Sequence, residues 1–276
     1  MRAVLIVVAC LAVFLAGETI AGPANCDGFT PTIVGTPDND RLVGTRGRDV
    51  ILGRGGDDEI DGLQSADVIC GGDGADVIHG NGGPDEIFGN DGADVLHAGA
   101  GRDYVADGPG RDTIFAGRGT DFVTNGPGAD QVNTGSEADS IQDGGGDDFF
   151  RGGRGPDHVR LQAGGHDTFL GDGGRDSISL FDRKDGPIVV DLTAETVQGL
   201  GGDTVARVEN AEGSFGNDIL IGSERRNILE GEGGDDHIEC RGRDDVILAG
   251  DGSDFVDGGD GTDRCSFGET AVNCEL

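Results

Sequence analysis

Apolar side chains recur every nine residues along this chain, at Leu42, Ile51, Ile60, Ile69, Ile78, Ile87, Leu96, Val105, Ile114, Val123, Val132, Ile141, Phe150 and Val159. Two residues before each stands an aspartate, unbroken from Asp40 and Asp49 to Asp157. A glycine-rich stretch precedes each aspartate, as in Gly71-Gly72-Asp73-Gly74-Ala75-Asp76-Val77-Ile78-His79. Glycine supplies the positive φ angles that tight turns need. Each unit is therefore predicted to be six turn residues followed by three strand residues. Proline cannot donate to a sheet ladder, and Pro37, Pro84, Pro109, Pro127 and Pro156 all fall in the turn part.

A three-residue strand covers only about 10 Å and is not stable alone, so successive units must stack and pair. Two units make one coil of eighteen residues, with coils about 4.8 Å apart. The pattern predicts an all-β fold: a right-handed parallel β-roll (solenoid) of tandem nonapeptides, its core a narrow apolar stripe.

Composition agrees. Among 276 residues there are 55 glycines, twelve Phe, one Tyr and no Trp, too few large side chains for an ordinary globular interior. Fifty-three acidic residues against 20 basic give a net charge of −33. Such charge is ordinarily a mark of disorder, but here it is spaced in register with the apolar stripe. The field repels nucleic acid and anionic membrane surfaces, so the expected counter-charges are cations or basic partner surfaces.

Residues eighteen apart, such as Asp76 and Asp94 or Asp85 and Asp103, become vertical neighbours, and their carboxylates repel one another. A hard divalent cation relieves this. Calcium accepts six to eight oxygens in flexible geometry and can use turn carbonyls, whereas magnesium demands a strict octahedron. Preference of aspartate for turns explains its enrichment but not its recurrence at one slot.

These units resemble the G-G-x-G-x-D-x-U-x repeat of repeats-in-toxin (RTX) calcium-binding proteins. The resemblance covers residues 35–179 and resumes over 213–266. It implies several calcium ions between successive turns, held by turn carbonyls and sixth-position aspartates, in an array that folds only on binding them. The expected metal ligands are Asp49, Asp58, Asp67, Asp76, Asp85, Asp94, Asp103, Asp112, Asp121, Asp130, Asp139, Asp148, Asp157, Asp167, Asp176, Asp218, Asp236, Asp245, Asp254 and Asp263.

Departures weaken particular turns: Leu63-Gln64-Ser65 and Ser136-Glu137 replace glycines, and Asn227 replaces the aspartate. The stretch Leu161 to Leu170 carries ten residues instead of nine, which predicts a bulge before Asp167. Residues 180–212 break the period. Ile188-Val189-Val190-Asp191-Leu192 and Val208-Glu209-Asn210 there resemble the longer coils interposed in such arrays, so continued β-roll without calcium is expected.

Met1 and Arg2 precede an apolar run from Ala3 to Ala16, followed by small residues around Thr19, Ala21 and Ala24, as in a cleaved secretory signal. The domain plan is then signal peptide 1–21, N-terminal cap segment 22–34, array 35–179, insert 180–212, second array 213–266 and C-terminal cap 267–276. The expected location is extracellular or cell-surface, with no membrane span in the mature chain. Export makes Cys26, Cys70, Cys240, Cys265 and Cys274 disulfide candidates. Spacing does not fix their connectivity. Cys265 with Cys274 would staple the C-terminus and Cys26 with Cys70 would tie down the N-terminal segment, leaving Cys240 free.

No H-E-x-x-H helix, G-x-S-x-G elbow, phosphate loop or EF-hand spacing occurs, so no catalytic activity is expected. His79 and His97, eighteen apart, are either a transition-metal pair or a solvent-facing ladder. Two other function classes are an adhesin, for which Phe88, Phe115, Phe122 and Phe149 offer scattered outward apolar positions, and a β-helical polysaccharide lyase or epimerase. Sugar clefts need stacking aromatics, and one Tyr with no Trp counts against the latter.

Overall fold

The computed structural model describes residues 25–162, 164–180, 187–199, 201–266 and 270–274. The expected signal segment 1–21 lies outside the described residues. No helix occurs among those described, and no helix is long and apolar enough to cross a membrane. Parallel stacked coils form a β-solenoid, and the chain divides into two compact units, 1–121 and 122–276.

In the first unit, Ile33–Val34, Val50–Gly55, Val68–Asp73, Glu86–Asp91 and Tyr104–Ala106 pair in that order as one sheet. Arg41–Val43, Glu59–Asp61, Val77–Gly82, Val95–Ala100 and Thr113–Arg118 form the other. All pairs are parallel at the eighteen-residue offset, so Ile51, Ile69, Ile87 and Val105 stack in one column. Leu42, Ile60, Ile78, Leu96 and Ile114 stack in the other. All fourteen periodic apolar residues of the chain are buried, as the nine-residue pattern predicts. Every one of the five prolines singled out above lies outside a strand.

Many strands are longer than the three residues expected. Val77–Gly82 runs to six because stacked turns of equal length stay in register, and Asn81 and Gly82 still pair with Gly99 and Ala100. The turns need left-handed backbone: Gly72 and Gly74 adopt φ of 120° and 135°. In the weakened turn, Leu63 and Ser65 are held at φ of 76° and 94°, where a side chain is strained. The Cys26–Cys70 disulfide closes the N-terminal end, packed with Val50, Leu52, Val68, Phe29 and Phe88. Phe88 thus serves the cap.

In the second unit, Phe122–Thr124, Ser140–Gln142, His158–Arg160, Ser177–Ser179, Asn210–Glu212, Ile228–Glu230, Val246–Leu248 and Arg264–Ser266 form one sheet. The extra residue before Asp167 does not bulge a strand. It is absorbed in the turn 161–167, and Phe150 still pairs with Phe169 and Val159 with Ile178, now nineteen residues on. A slip would have turned Phe169 out of the core.

Between residues 180 and 212 the stack continues, as expected, but not with parallel strands alone. The opposite sheet gains two rows: Asp203–Ala206 pairs parallel with Thr168–Gly173, then antiparallel with Thr196–Gln198, which pairs antiparallel with Val189–Asp191. Val189–Asp191 then carries the parallel stack on to Ile219–Ile221. The short Leu192 to Glu195 turn forces this reversal, because a parallel return needs a long crossover. Cys265 and Cys274 are bonded, and Cys240 is free and buried.

Candidate metal centres

All twenty expected ligands are buried, the most exposed being Asp49 at 6 %. Their placement follows from the coil length. An aspartate just ahead of each strand points its side chain along the stack, and the next coil repeats it.

The contact that results is not carboxylate against carboxylate. Along each run of the ladder the backbone N–H of one aspartate donates to Oδ1 of the aspartate one coil on. The distance is 2.8 Å for Asp49 to Asp67, 2.7 Å for Asp58 to Asp76, 2.9 Å for Asp67 to Asp85 and 2.8 Å for Asp76 to Asp94. Asp85 to Asp103, Asp94 to Asp112 and Asp103 to Asp121 continue the ladder in the first unit. In the second unit it runs from Asp130 to Asp148 to Asp167, from Asp139 to Asp157 to Asp176, from Asp218 to Asp236 to Asp254 and from Asp245 to Asp263. One oxygen of each carboxylate is therefore an element of the fold.

The other oxygen separates two kinds of turn. Oδ2 of Asp58, Asp67, Asp76, Asp85, Asp94, Asp103, Asp157, Asp167, Asp176, Asp236, Asp245 and Asp254 is buried with no hydrogen-bond partner. A buried, unpaired carboxylate oxygen is costly. The space beside it is kept by glycine. A Cβ at Gly80 would lie 2.6 Å from Asp85 Oδ2 and 2.7 Å from the Ala98 carbonyl oxygen. Carboxylate and carbonyl oxygens converge there, an oxygen-only donor set that suits calcium.

In four turns a hydroxyl residue four positions earlier fills this role instead. Thr45 donates to Asp49 Oδ2 from its N–H and its hydroxyl, at 2.6 and 2.9 Å, and Thr36 does the same for Asp40 at 2.5 and 2.9 Å. Ser214 caps Asp218 at 2.6 and 2.9 Å, and the Ser223 N–H meets Asn227 Oδ1 at 2.7 Å. Asn227 keeps its place in the ladder through its N–H to Asp245 Oδ1.

Burial dominates the titration of the open carboxylates. It raises Asp58, Asp85, Asp94, Asp148, Asp167, Asp176 and Asp236 to about 7. Asp67, Asp103, Asp157 and Asp245 rise to about 6. The amide hydrogen bond opposes the rise in each, and neighbouring carboxylates add to it.

Two ladder members escaped the sequence reading. Asp167 donates to Asp203 Oδ1 at 3.0 Å, and Asp176 to Glu209 Oε2 at 3.0 Å. The signal was present, since buried Val205 and Ala211 stand two residues after them. His79 and His97 stack face to face at 4.8 Å, and Phe115 continues the stack at 4.8 Å. This is a ladder of stacked rings.

A parallel solenoid with a buried aspartate ladder defines a cation-binding repeat protein. The sequence matches the RTX calcium-binding nonapeptide repeat family over residues 34–69, 71–105, 101–132, 124–159, 163–179, 212–239 and 241–269. The chain belongs to that family, and its repeats are calcium-binding. A comparison with the curated proteins finds no match.

Proposed function

We propose that this is a secreted, non-catalytic calcium-binding protein whose β-roll folds as several calcium ions bind between successive turns, serving as a structural or surface-interaction module. The observation that carries the reading is the set of buried, unpartnered Oδ2 atoms of Asp58, Asp67, Asp76, Asp85, Asp94, Asp103, Asp157, Asp167, Asp176, Asp236, Asp245 and Asp254. These aspartates and the turn carbonyls would hold the ions. Bound calcium supplies the positive charge that offsets the carboxylates, and the ladder amides orient one oxygen of each so that the other faces the ion. Without calcium, mutual repulsion and the conformational entropy of glycine oppose folding. Extracellular modules bind at about 10⁻⁴ to 10⁻³ M, which fits an exported chain that orders after leaving the cell.

Isothermal titration of the chelator-treated mature protein with calcium tests this. Several ions taken up in the high micromolar to millimolar range support it, and no heat of binding overturns it. Fractionation of producing cells tests export, and accumulation inside the cell would contradict that part.

A further inference from the structure

Five residues before the aspartate the repeat normally places glycine, as at Gly53, Gly71 and Gly80. In the turn leading to Asp148 that position is Asp143, and in the coil before it is Asn125. Both point into the coil: Asp143 is 0 % exposed and Asn125 2 %. Asp143, Asp148 and Asp167, all buried, each present a carboxylate oxygen within 4.8 Å of the other two.

No ion pair joins any of the three to a basic side chain among the described residues. Their hydrogen bonds leave coordination capacity free. Asp143 accepts the N–H of Gly145 on Oδ1 at 3.2 Å and of Gln162 on Oδ2 at 2.7 Å. Asp148 accepts the Asp130 N–H on Oδ1 and the Asn125 Nδ2 on Oδ2, at 2.8 and 3.1 Å. Asp167 Oδ2 and Asn125 Oδ1 have no partner at all, and both belong to side chains 2 % exposed.

We infer that Asp143, standing where the other turns carry glycine, adds a third carboxylate to the turn site of Asp148 and Asp167 and makes it, with the Asn125 amide, the tightest cation site of the array. Three carboxylates and an amide oxygen are the hard donors calcium takes. Affinity in oxygen sites rises with the number of charged ligands and with rigidity. This site has three carboxylates on stacked coils, so it holds its ion more tightly than the other turns do. The inference rests on the proposed function, and the test below separates failure of the one from failure of the other.

The test is metal content of the full mature protein, purified without chelator and dialysed against about 1 µM free calcium, a concentration well below the range of extracellular modules. The wild type should retain about one calcium per chain more than Asp143→Asn does. Asp143→Gly, which restores the glycine of the other turns, should also lose that ion while still taking up calcium in the millimolar range. Retention of the tight ion by Asp143→Gly overturns the inference. So does a wild type that keeps no ion at 1 µM yet binds calcium in the millimolar range, a result that leaves the proposed function standing. Absence of calcium binding at every concentration would instead remove both.

Discussion

Thr45 holds Asp49 Oδ2 with two donors, its N–H at 2.6 Å and its hydroxyl at 2.9 Å. The same position is glycine ahead of Asp76, whose Oδ2 has no partner. Hydroxyl-capped turns open both arrays, at Thr36 and Thr45 in the first and at Ser214 and Ser223 in the second. These turns satisfy their own acid, so each array begins with two turns that need no ion.

We therefore propose that Asp49 and Asp218, expected ligands by their position in the repeat, take no calcium. Asp49→Asn should leave the number of bound ions unchanged. Asp76→Asn keeps the Oδ1 acceptor for Asp58 but removes the charge, and should lower the count. Thr45→Val should cost about 1 kcal/mol of calcium-loaded stability, the worth of one hydrogen bond. Calcium titration and urea unfolding of these three variants check the assignment.

The strained turn gives a second outcome. Ser65 and Leu63 sit at φ of 94° and 76°, where glycine carries no steric penalty. Ser65→Gly and Leu63→Gly should each raise stability by about 1 kcal/mol, read as the shift in urea midpoint with calcium held constant. A loss of stability would show that these side chains support the turn.

Titration supplies a third. Asp58, Asp85, Asp94 and Asp236 rise from 3.8 to about 7 when folded without metal, mainly through burial. Unfolded, they titrate at the ordinary value. Between about pH 7 and pH 4 the folded chain therefore binds more protons than the unfolded one, so the calcium-free fold gains stability as pH falls through that window. That gain is lost as pH rises through 7. Calcium competes with the same protons, so its affinity should weaken on acidification. Circular dichroism in chelator at pH 5 and pH 8 tests the sign: more β-structure is expected at pH 5, and more at pH 8 would contradict it.

Cys240 reports folding directly. It is the free cysteine among the described residues, wholly buried, and burial followed by the charges of Asp245, Asp263 and Asp257 pushes its thiol up. A thiol kept from ionising is unreactive. Maleimide labelling should be slow in calcium and at least tenfold faster after chelation, and equal rates would mean that chelation does not open the coil.

Much of this was legible because the repeat is one-dimensional. A nine-residue period with one apolar residue per unit fixes the coil at eighteen residues, and so the stacking of Ile51 on Ile69 and of Asp76 beneath Asp94. What the period does not encode is how a carboxylate divides its two oxygens. Facing acids do repel, as expected, but the chain also sets the Asp76 N–H against Asp94 Oδ1 and leaves Oδ2 without a partner. Asp203 and Glu209 were hidden because the insert changes the spacing to Asp167 and Asp176 to 36 and 33 residues. The antiparallel strands Val189–Asp191, Thr196–Gln198 and Asp203–Ala206 carry no periodic signal.

Cation binding at the open carboxylates is proposed to fold the coil, and far-ultraviolet circular dichroism of the chelated mature protein, titrated with calcium at pH 8, decides it. The expected result is a spectrum lacking β-structure at the start and a cooperative rise of β-signal in the high micromolar to millimolar range, reversed by chelator. A β-spectrum already complete in chelator and unmoved by calcium would contradict it.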